Sequence, residues 1–398
     1  MVKLSSVAEI LNGDRSSNYP SGKDFVAFGI PFINAGHLTK GKIDFSNMDY
    51  ISEQKYQQLS GAKIRKHDIL LCLRGSLGKY AVSEIDAGAP ASSIAVIRPN
   101  KSLIDAGYLT CIISSFVFQR QIDLENNGSS QPNLSASSVS SFTIPLPPVN
   151  EQQRIAEALS DADSMISSLE KLITKKKAVK QGAMQELSTG KKRLPGFDGD
   201  IKYKSLASLC TVIADGDWIE SKDQSNDGIR LIQTGNIGVG KYLDKTDKQR
   251  FISKDTFDRL KCLEIFENDV IVSRLPEPAG RACILPYSNK RRITAVDCTI
   301  IRFADYNPIL FVAYSQTKQY QDKVDMAMAG STRQRISRKE LGEIPIPVFP
   351  TIEEQNVLAS IFSDMDNEIE ALEQKLTKAR QIKQGMMQQL LTGKIRLV

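Results

Sequence analysis

The sequence is poor in the features that mark metal sites, membrane spans and disulfide-rich folds. It has two histidines and six cysteines among 398 residues, and no two cysteines form a CxxC pair. The common zinc-finger and zinc-ribbon spacings are therefore excluded, and a disulfide framework is not expected. No apolar run reaches the roughly 18 residues of a membrane helix. Because the first residues also lack the apolar stretch of a signal peptide, we expect a reduced, cytoplasmic protein.

The charge is modest as well. The net charge of +6 is spread along the chain without a basic arm, so any nucleic acid must be contacted by local patches of the surface. The hydrophobic fraction of 41% and the charged fraction of 25% are ordinary for globular protein. At about 100–200 residues per domain, the length predicts two to four domains.

The most informative feature is a long internal repeat. Residues 151–194 and 354–397 align without a gap, 203 residues apart, and half of the aligned positions are identical. Ile-Pro-Leu-Pro and Ile-Pro-Ile-Pro precede the two copies. A period near 200 residues is too long for a solenoid and indicates that a whole unit was duplicated. The predicted segments are a globular domain, a helix, a second globular domain and a second helix, at 1–148, 149–195, 196–347 and 348–398.

Both repeated segments have the pattern of coiled-coil helices. Their apolar residues recur at alternating spacings of four and three, which forms a heptad seam. About 40 residues at 1.5 Å each give a rod of roughly 60 Å. Two like seams in one chain are most simply satisfied by pairing with each other; the alternative is that each helix packs on its own domain. The seam residues expected at the coiled-coil or partner contact are Ile155, Leu159, Ile166, Leu169, Leu358, Phe362, Ile369 and Leu372.

The globular halves have the pattern of α+β domains with frequent glycine turns. Short helical patterns lie at 104–119 and 306–324. Short apolar or alternating stretches predict strands. These stretches are 69–73, 93–97, 270–272 and 299–301.

Two stretches fit the glycine and lysine spacing of a phosphate-binding P-loop, beginning at Gly36 and Gly235. The Ser or Thr that would bind magnesium is replaced by Ile43 and Tyr242, and strand-like residues follow instead of a helix. We interpret both stretches as β-turns. The Thr-Gly-Lys sequence at the end of each repeated helix is interpreted as a helix stop.

No complete catalytic set is found. GxSxG and HExxH motifs are absent, as are a glycine-rich loop for S-adenosylmethionine and the tetrapeptide typical of amino-methyltransferases. His37 and His67 are matched in the second half by Asn236 and Asn268. Because a duplicated catalytic unit would be expected to repeat its base, neither histidine is expected to be catalytic.

Loops in both halves carry types of side chain that suit contacts with nucleic acid. Arg, Lys, Asn, Gln and Ser, mixed with glycine, contact phosphates and base edges. For any single residue the alternative is a solvated polar loop, and the sole tryptophan, Trp218, suits a core position or exposed stacking equally. The candidate DNA-binding residues are Arg74, Ser76, Lys79, Ser129, Ser130, Gln131, Asn133, Arg274, Arg281, Arg333, Gln334, Arg335 and Arg338.

The whole pattern resembles the DNA-specificity subunit (HsdS) of type I restriction–modification systems. The residues that carry the resemblance are the paired IPLPPVNEQQRIA and IPIPVFPTIEEQNVLA, the paired KQGxMQxLxTGK ends and the two variable regions before them. The second copy departs from the first by a short insertion before Glu354-Gln355.

This resemblance implies a function and a set of partners. Two target-recognition domains would each read half of a split sequence in double-stranded DNA, and an antiparallel coiled coil would space them. The helices would dock two HsdM-type methyltransferase subunits, which bind S-adenosylmethionine and methylate adenine, with or without HsdR-type restriction subunits. The chain itself would have no catalytic centre, cofactor, metal or membrane contact. The alternatives are a DNA methyltransferase or nuclease with its own active site, and a coiled-coil scaffold that reads no sequence.

Overall fold

The computed structural model describes residues 1–14, 16–39, 41–126, 133–328 and 335–397. The chain divides into two compact units. The first unit contains Met1–Leu169 and Lys375–Val398, and the second contains Glu170–Gln374. Each unit therefore holds one globular domain together with a stretch of each long helix.

The first domain is built on two four-stranded sheets. We call one of them the core sheet. Its strand Ile69–Cys72 is buried along its whole length because the two faces of the strand pack against different apolar clusters. Burial on both faces explains why this strand is uniformly apolar rather than alternating. The core sheet has the order Ala8–Asn12, Ile94–Pro99, Ile69–Cys72, Tyr80–Val82, and the small sheet has the order Ala89–Pro90, Ile30–Ile33, Asp49–Ile51, Phe25–Val26. The two-stranded pairs are Val2–Lys3 with Thr143–Ile144 and Leu38–Thr39 with Lys42–Ile43.

The second domain repeats this arrangement, which confirms the duplication predicted from the helices. The strand orders of its two large sheets follow those of the first domain. Its core sheet has the order Cys210–Asp215, Cys298–Phe303, Val270–Ser273, Ala282–Ile284, and its small sheet has the order Gln224–Ser225, Arg250–Ile252, Ile229–Ile232, Arg292–Thr294. Lys202–Ser205 pairs with Pro345–Val348. The predicted strands are confirmed in both domains.

The helical patterns at 104–119 and 306–324 each form two short helices, not one. The first pattern breaks at Ser114 and Ser115, and the second breaks at Gln316 and Thr317. Ser115 has extended backbone angles, and its hydroxyl donates to Ile112 O, because short polar side chains compete for backbone groups that a helix would use. The α-helices of the domains are Glu53–Gln58, Ala106–Ile113, Phe116–Glu125, Ala136–Ser141, Lys254–Leu260, Pro308–Ser315, Lys318–Met328 and Arg338–Glu343. Short 3-10 helices are Leu4–Ser6, Gly22–Asp24, Ala35–His37, Leu206–Leu209, Ser221–Asp223, Thr234–Asn236 and Thr246–Lys248.

The two repeated segments form long helices. The first spans Val149–Ala183 and continues as a π-helical turn over Met184–Ser188, and the second spans Ile352–Leu390. Gly190 and Gly393 follow with φ angles of 73° and 71°. Glycine adopts this left-handed backbone without steric cost, which confirms the Thr-Gly-Lys sequences as helix stops.

Turns account for both P-loop-like stretches. Gly41 and Gly240 have φ angles of 76° and 72°. Gly41 lies in the turn between the paired strands Leu38–Thr39 and Lys42–Ile43, and Ile237 forms an antiparallel bridge with Tyr242 around Gly240. The interpretation of both stretches as β-turns is confirmed.

The two histidines have structural roles that asparagine fills in the second domain. His37 Nδ1 accepts the N–H of Asn34 at 3.1 Å, just as Asn236 Oδ1 accepts the N–H of Gln233 at 3.0 Å. His67 and Asn268 both have positive φ angles, 71° and 66°. Each pair occupies one position of the duplicated fold and needs only a hydrogen-bonding or turn-forming side chain.

Two further findings concern the class of protein. Within the residues that the structure describes, no helix is long and apolar enough to cross a membrane. All six cysteines lie in the described part of the chain and are free, and burial raises the pKa of the Cys298 thiol to about 11.

Candidate nucleic-acid interface

In the first unit, the candidate residues follow the central strand of the core sheet. Arg74 forms a backbone bridge with Asn133, and its Nε donates to Asn133 Oδ1 at 3.3 Å. Ser76 is exposed in the same loop, and Lys79 Nζ donates to Ala35 O at 3.0 Å. The structure thus brings two separate predicted loops together. Ser129, Ser130 and Gln131 lie outside the described residues.

In the second unit, three predicted arginines share two carboxylates. Arg274 Nη1 and Arg338 Nη1 lie 3.5 Å and 3.8 Å from the two oxygens of Asp215, and Arg335 Nη1 donates to Asp297 at 2.8 Å. We call these five residues the guanidinium cluster. Its three cations and two anions leave an excess of one positive charge. Arg333 and Gln334 lie outside the described residues.

Arg274 is the buried member of the guanidinium cluster. It is 3% exposed, and its Nη2 donates to Val296 O. Its Nε has no hydrogen-bond partner. By contrast, the side chain of Arg338 is 51% exposed and that of Arg335 is 35% exposed. The two outer arginines are therefore the ones placed to reach a ligand, and Arg274 shares Asp215 with one of them, Arg338.

Arg281 serves the protein rather than a ligand. Its guanidinium donates to four backbone carbonyls, with N···O distances between 2.7 and 3.0 Å. Because these bonds tie strand 282–284 to two neighbouring loops, Arg281 shapes the surface near the guanidinium cluster. The four carbonyls belong to Thr234, Ile237, Leu275 and Pro278.

The two candidate sites occupy the same place in the duplicated fold. In the first unit the N–H of Leu134 donates to Leu73 O at 2.8 Å, and in the second the N–H of Ile336 donates to Arg274 O at 3.2 Å. Leu73 and Arg274 are thus equivalent positions directly after the central strand. Asn133 comes directly before Leu134 in the first unit, whereas Arg335 comes directly before Ile336 in the second. The same location therefore carries different chemistry in the two units.

A second repeated feature, which the sequence revealed only as similarity, anchors the helices. Arg396 binds Glu151 through two hydrogen bonds of 2.7 and 2.6 Å, and Arg193 binds Glu354 through two of 2.7 Å. The two glutamates are 5% and 1% exposed. The hydrogen bonds from Arg396 hold the pKa of Glu151 below its ordinary value. In each unit the end of one helical segment is thereby fixed to the start of the other.

The glutamine that follows each of these glutamates is equally buried. Gln152 is fully buried and accepts the N–H of Asp105 at 2.8 Å. It also donates to Leu103 O at 3.2 Å and Pro147 O at 2.8 Å. Gln355 accepts the N–H of Asn307 at 3.2 Å. The paired Glu-Gln sequences therefore fasten each helix to its own domain.

Ion pairs show the direction of the helices within each unit. In the first unit Asp163 pairs with Lys383, and in the second Asp366 pairs with Lys180 and Glu368 with Lys176. Taken with the Arg–Glu anchors, higher numbers on one helix face lower numbers on the other. The stretches of the two helices that share a unit are therefore antiparallel.

The predicted seam residues divide between two kinds of packing. Ile155 and Leu159 belong to the core of the first domain, and Leu358 and Phe362 belong to that of the second. The first turns of each helix thus pack on its own domain, as the alternative reading of the pattern expected. The remaining seam residues lie further along the helices and are buried or half-buried: Ile166, Leu169, Ile369 and Leu372.

Two further features could have carried a function: the sole tryptophan and a metal site. Trp218 is 69% exposed, and its indole N–H donates to Glu220 at 3.4 Å, so it is not a core residue. In the part of the chain that the structure describes, no group of three or more His, Cys, Asp or Glu side chains could hold a metal ion.

Comparison with known proteins identifies the family. The model of the type I restriction modification DNA specificity domain matches residues 1–181 and again 199–381. The MjaVIII type I restriction enzyme specificity subunit of Methanocaldococcus jannaschii is 22% identical over 92% of this chain and 89% of its own length. The provisionally assigned MjaX specificity subunit of the same archaeon is 23% identical over 99% and 93%.

Solved structures show the same fold. The crystal structure of the type I restriction–modification S subunit from M. genitalium has a TM-score of 0.60 at 14% identity, and covers 98% of this chain and 95% of that one. The HsdS subunit from Thermoanaerobacter tengcongensis has a TM-score of 0.55 at 17% identity, covering 99% and 96%. Two matched domains, two long helices and relatives of the same kind agree: the chain belongs to the DNA specificity subunits of type I restriction–modification systems, which are non-catalytic.

Proposed function

We propose that each globular domain reads one half of a bipartite DNA target, and that the helices space the domains and dock methyltransferase subunits. The observation that carries this proposal is the contrast at one location of the duplicated fold. The first unit presents Arg74 and Asn133 there, and the second presents Arg335 and Arg338 with their carboxylates. Both sites hold guanidinium groups, but the first has the amide of Asn133 where the second has Arg335; amides suit adenine and guanidinium groups suit guanine or phosphate, so the two sites would select different bases.

The helices support the docking part of the proposal. Met165, Leu172 and Val179 recur every seven residues along the first long helix and are 57%, 39% and 51% exposed. Seven residues are close to two helical turns, so these side chains lie on one face. An exposed apolar stripe of this kind fits the helix of another protein. The methyltransferase subunits are the occupants that we propose, because relatives of this chain act in type I restriction enzymes.

An exchange of domains tests the reading of half-sites. Residues 1–148 are replaced by the first domain of another specificity subunit, and the chimaera is assembled with its methyltransferase subunits. Sequences bound from a random duplex library are then compared with those bound by the wild-type complex. We expect one half of the target to change and the other to stay the same. A change in both halves, or in neither, would refute modular reading.

A further inference from the structure

One face of the small sheet in the second unit carries two buried arginines side by side. Arg230 and Arg292 are direct partners in the parallel pairing of their strands, so their side chains lie on the same face of the sheet. Each residue is 5% exposed. The opposite face of this sheet is apolar and contains Ile229, Leu231, Ile252 and Ile293. Two adjacent guanidinium groups are thus withdrawn from solvent on a face that continues into buried Ile232.

These arginines are poorly neutralised. Arg230 Nη2 has no hydrogen-bond partner, and its ion-pair partner Asp244 lies 3.7 Å away with a side chain that is 53% exposed. Asp269 lies near Arg292 but is bound by Arg302 through two hydrogen bonds of 2.7 Å, and Glu267 is exposed. Burial lowers the pKa of Arg292. Burying a charge without full hydrogen bonding is costly, so such groups point to a missing partner.

The arginine pair belongs to the second unit alone. Ile30 and Ile229 both follow a glycine and both pair with an isoleucine on the next strand, Ile51 and Ile252. Pro31 therefore stands where the second unit has Arg230. In the same register, Gly88 of the first unit occupies the position of Arg292 in the second unit. The common fold does not require the two cations, because the first unit forms the same sheet without them.

An aromatic ring links Arg230 with an exposed lysine. The guanidinium carbon of Arg230 lies 5.7 Å from the ring centroid of Phe251, and Lys290 Nζ lies 5.5 Å from it. A cavity of about 490 Å³ opens beside this ring. It is lined by Asp227, Gly228, Ile229, Phe251, Lys254, Lys290 and Arg291. Lys290 and the Phe251 ring, which Arg230 also approaches, line this cavity, whereas Arg230 and Arg292 do not.

We propose that Arg230, Arg292 and Lys290 form a phosphate-binding site on the small sheet of the second unit, and that the phosphate it takes is a backbone phosphate of bound DNA. Guanidinium groups present paired N–H donors that match the oxygens of a phosphate, and Lys290 adds a point charge. The choice of DNA as the source rests on the proposed function, whereas binding of the phosphate group does not. A free phosphate ion offers the same chemistry and is separated from DNA by the test.

The first arm of the test uses the purified full-length chain without DNA. Thermal unfolding is followed in sodium sulfate and in sodium chloride of equal ionic strength, for the wild type, Arg230→Met and Arg250→Met. Arg250 lies on the next strand but is exposed, so it is the matched control. Sulfate stabilises proteins in general, so only the difference between variants counts. The sulfate increment is the rise in unfolding temperature in sulfate relative to chloride. We expect Arg230→Met to lose at least half of this increment and Arg250→Met to keep it.

In chloride, Arg230→Met should unfold at the wild-type temperature or above it, because it removes an incompletely paired charge. If it unfolds well below, or keeps the full sulfate increment, Arg230 is a structural residue and the proposal falls. If Arg230→Met does not fold, Arg292→Met and Lys290→Met are measured in its place, with the same two outcomes.

The second arm uses the complex with methyltransferase subunits and DNA. Arg230→Met should weaken binding of all sequences alike and lower the slope of log K against log salt by about 1. A lost sulfate increment with unchanged DNA binding would overturn DNA as the source and leave a site for a free anion. Failure of the wild-type complex to select any sequence would refute the proposed function, and the sulfate result would stand.

Discussion

Arg396 and Glu151 form a bidentate ion pair although 245 residues separate them in the sequence. The pair fixes the end of the chain against the first turn of the first long helix. Arg193 and Glu354 form the equivalent pair in the second unit. The repeated Glu and Arg of the two aligned segments are therefore partners across the repeats, not within one copy.

The Arg396–Glu151 pair should make stability depend on pH. Because Glu151 has a lower pKa in the folded chain than in the unfolded chain, the pair stabilises the fold above the unfolded pKa of about 4.3. This contribution is lost as the pH falls through the folded pKa. Denaturation midpoints measured from pH 7 to pH 3 should fall less steeply for Glu151→Gln than for the wild type. Asp322→Asn, in an exposed ion pair, is the control and should follow the wild type. Equal slopes for Glu151→Gln and wild type would show that the pair contributes nothing to acid sensitivity.

Gln152 should matter more for stability than its counterpart Gln355. Gln152→Ala removes three hydrogen bonds from a fully buried site and leaves the N–H of Asp105 unsatisfied. We expect a loss of about 2–4 kcal/mol in the free energy of unfolding. Gln355→Ala removes one bond to the N–H of Asn307 and should cost about 1–2 kcal/mol. Urea denaturation of the two variants measures this, and a larger loss for Gln355→Ala would contradict the structural ranking.

Arg335 should contribute to DNA binding by the second domain. Its side chain is 35% exposed and is held by Asp297 at 2.8 Å. In the assembled complex, Arg335→Glu should weaken binding by about 1–3 kcal/mol if the guanidinium contacts a base, or lower the salt dependence if it contacts a phosphate. Lys318→Glu, with a side chain 78% exposed on a helix of the same domain, is the matched control. Unchanged affinity and salt dependence in a folded Arg335→Glu variant would assign this loop to ordinary surface.

Lengthening the helices should change the spacing of the half-sites. Lys176 and Lys177 of the first helix pair with Glu368 and Glu373 of the second. Four residues inserted within Thr174–Lys177, matched by four between Glu368 and Glu373, add about 6 Å and about one turn to each helix. Selection from duplex libraries should then yield a longer spacer between unchanged half-sites. A changed half-site with the original spacer would show that the helices do not act as a ruler.

The sequence determined the duplicated plan of this protein, because local patterns encode it. The heptad spacing, the proline before each helix and the glycine after it act within a few residues, and the structure has both helices with their glycine stops where these signals stand. The uniformly apolar strands could also be predicted, because an apolar run is a local pattern. The breaks at Ser114–Ser115 and Gln316–Thr317 were missed, since serine and threonine fit a helical pattern until their hydroxyls bind the backbone.

Which side chains meet depends on folding and could not be predicted from local patterns. The sequence marked Arg274, Arg281, Arg335 and Arg338 as equals, yet four carbonyls occupy Arg281, burial withdraws Arg274, and carboxylates distant in the sequence hold the others. Likewise, the sequence alignment shows that both copies contain the same Glu and Arg, but it does not show that the Glu of one copy pairs with the Arg of the other. An ion pair depends on atoms brought within a few ångströms by folding, and no local pattern carries that information.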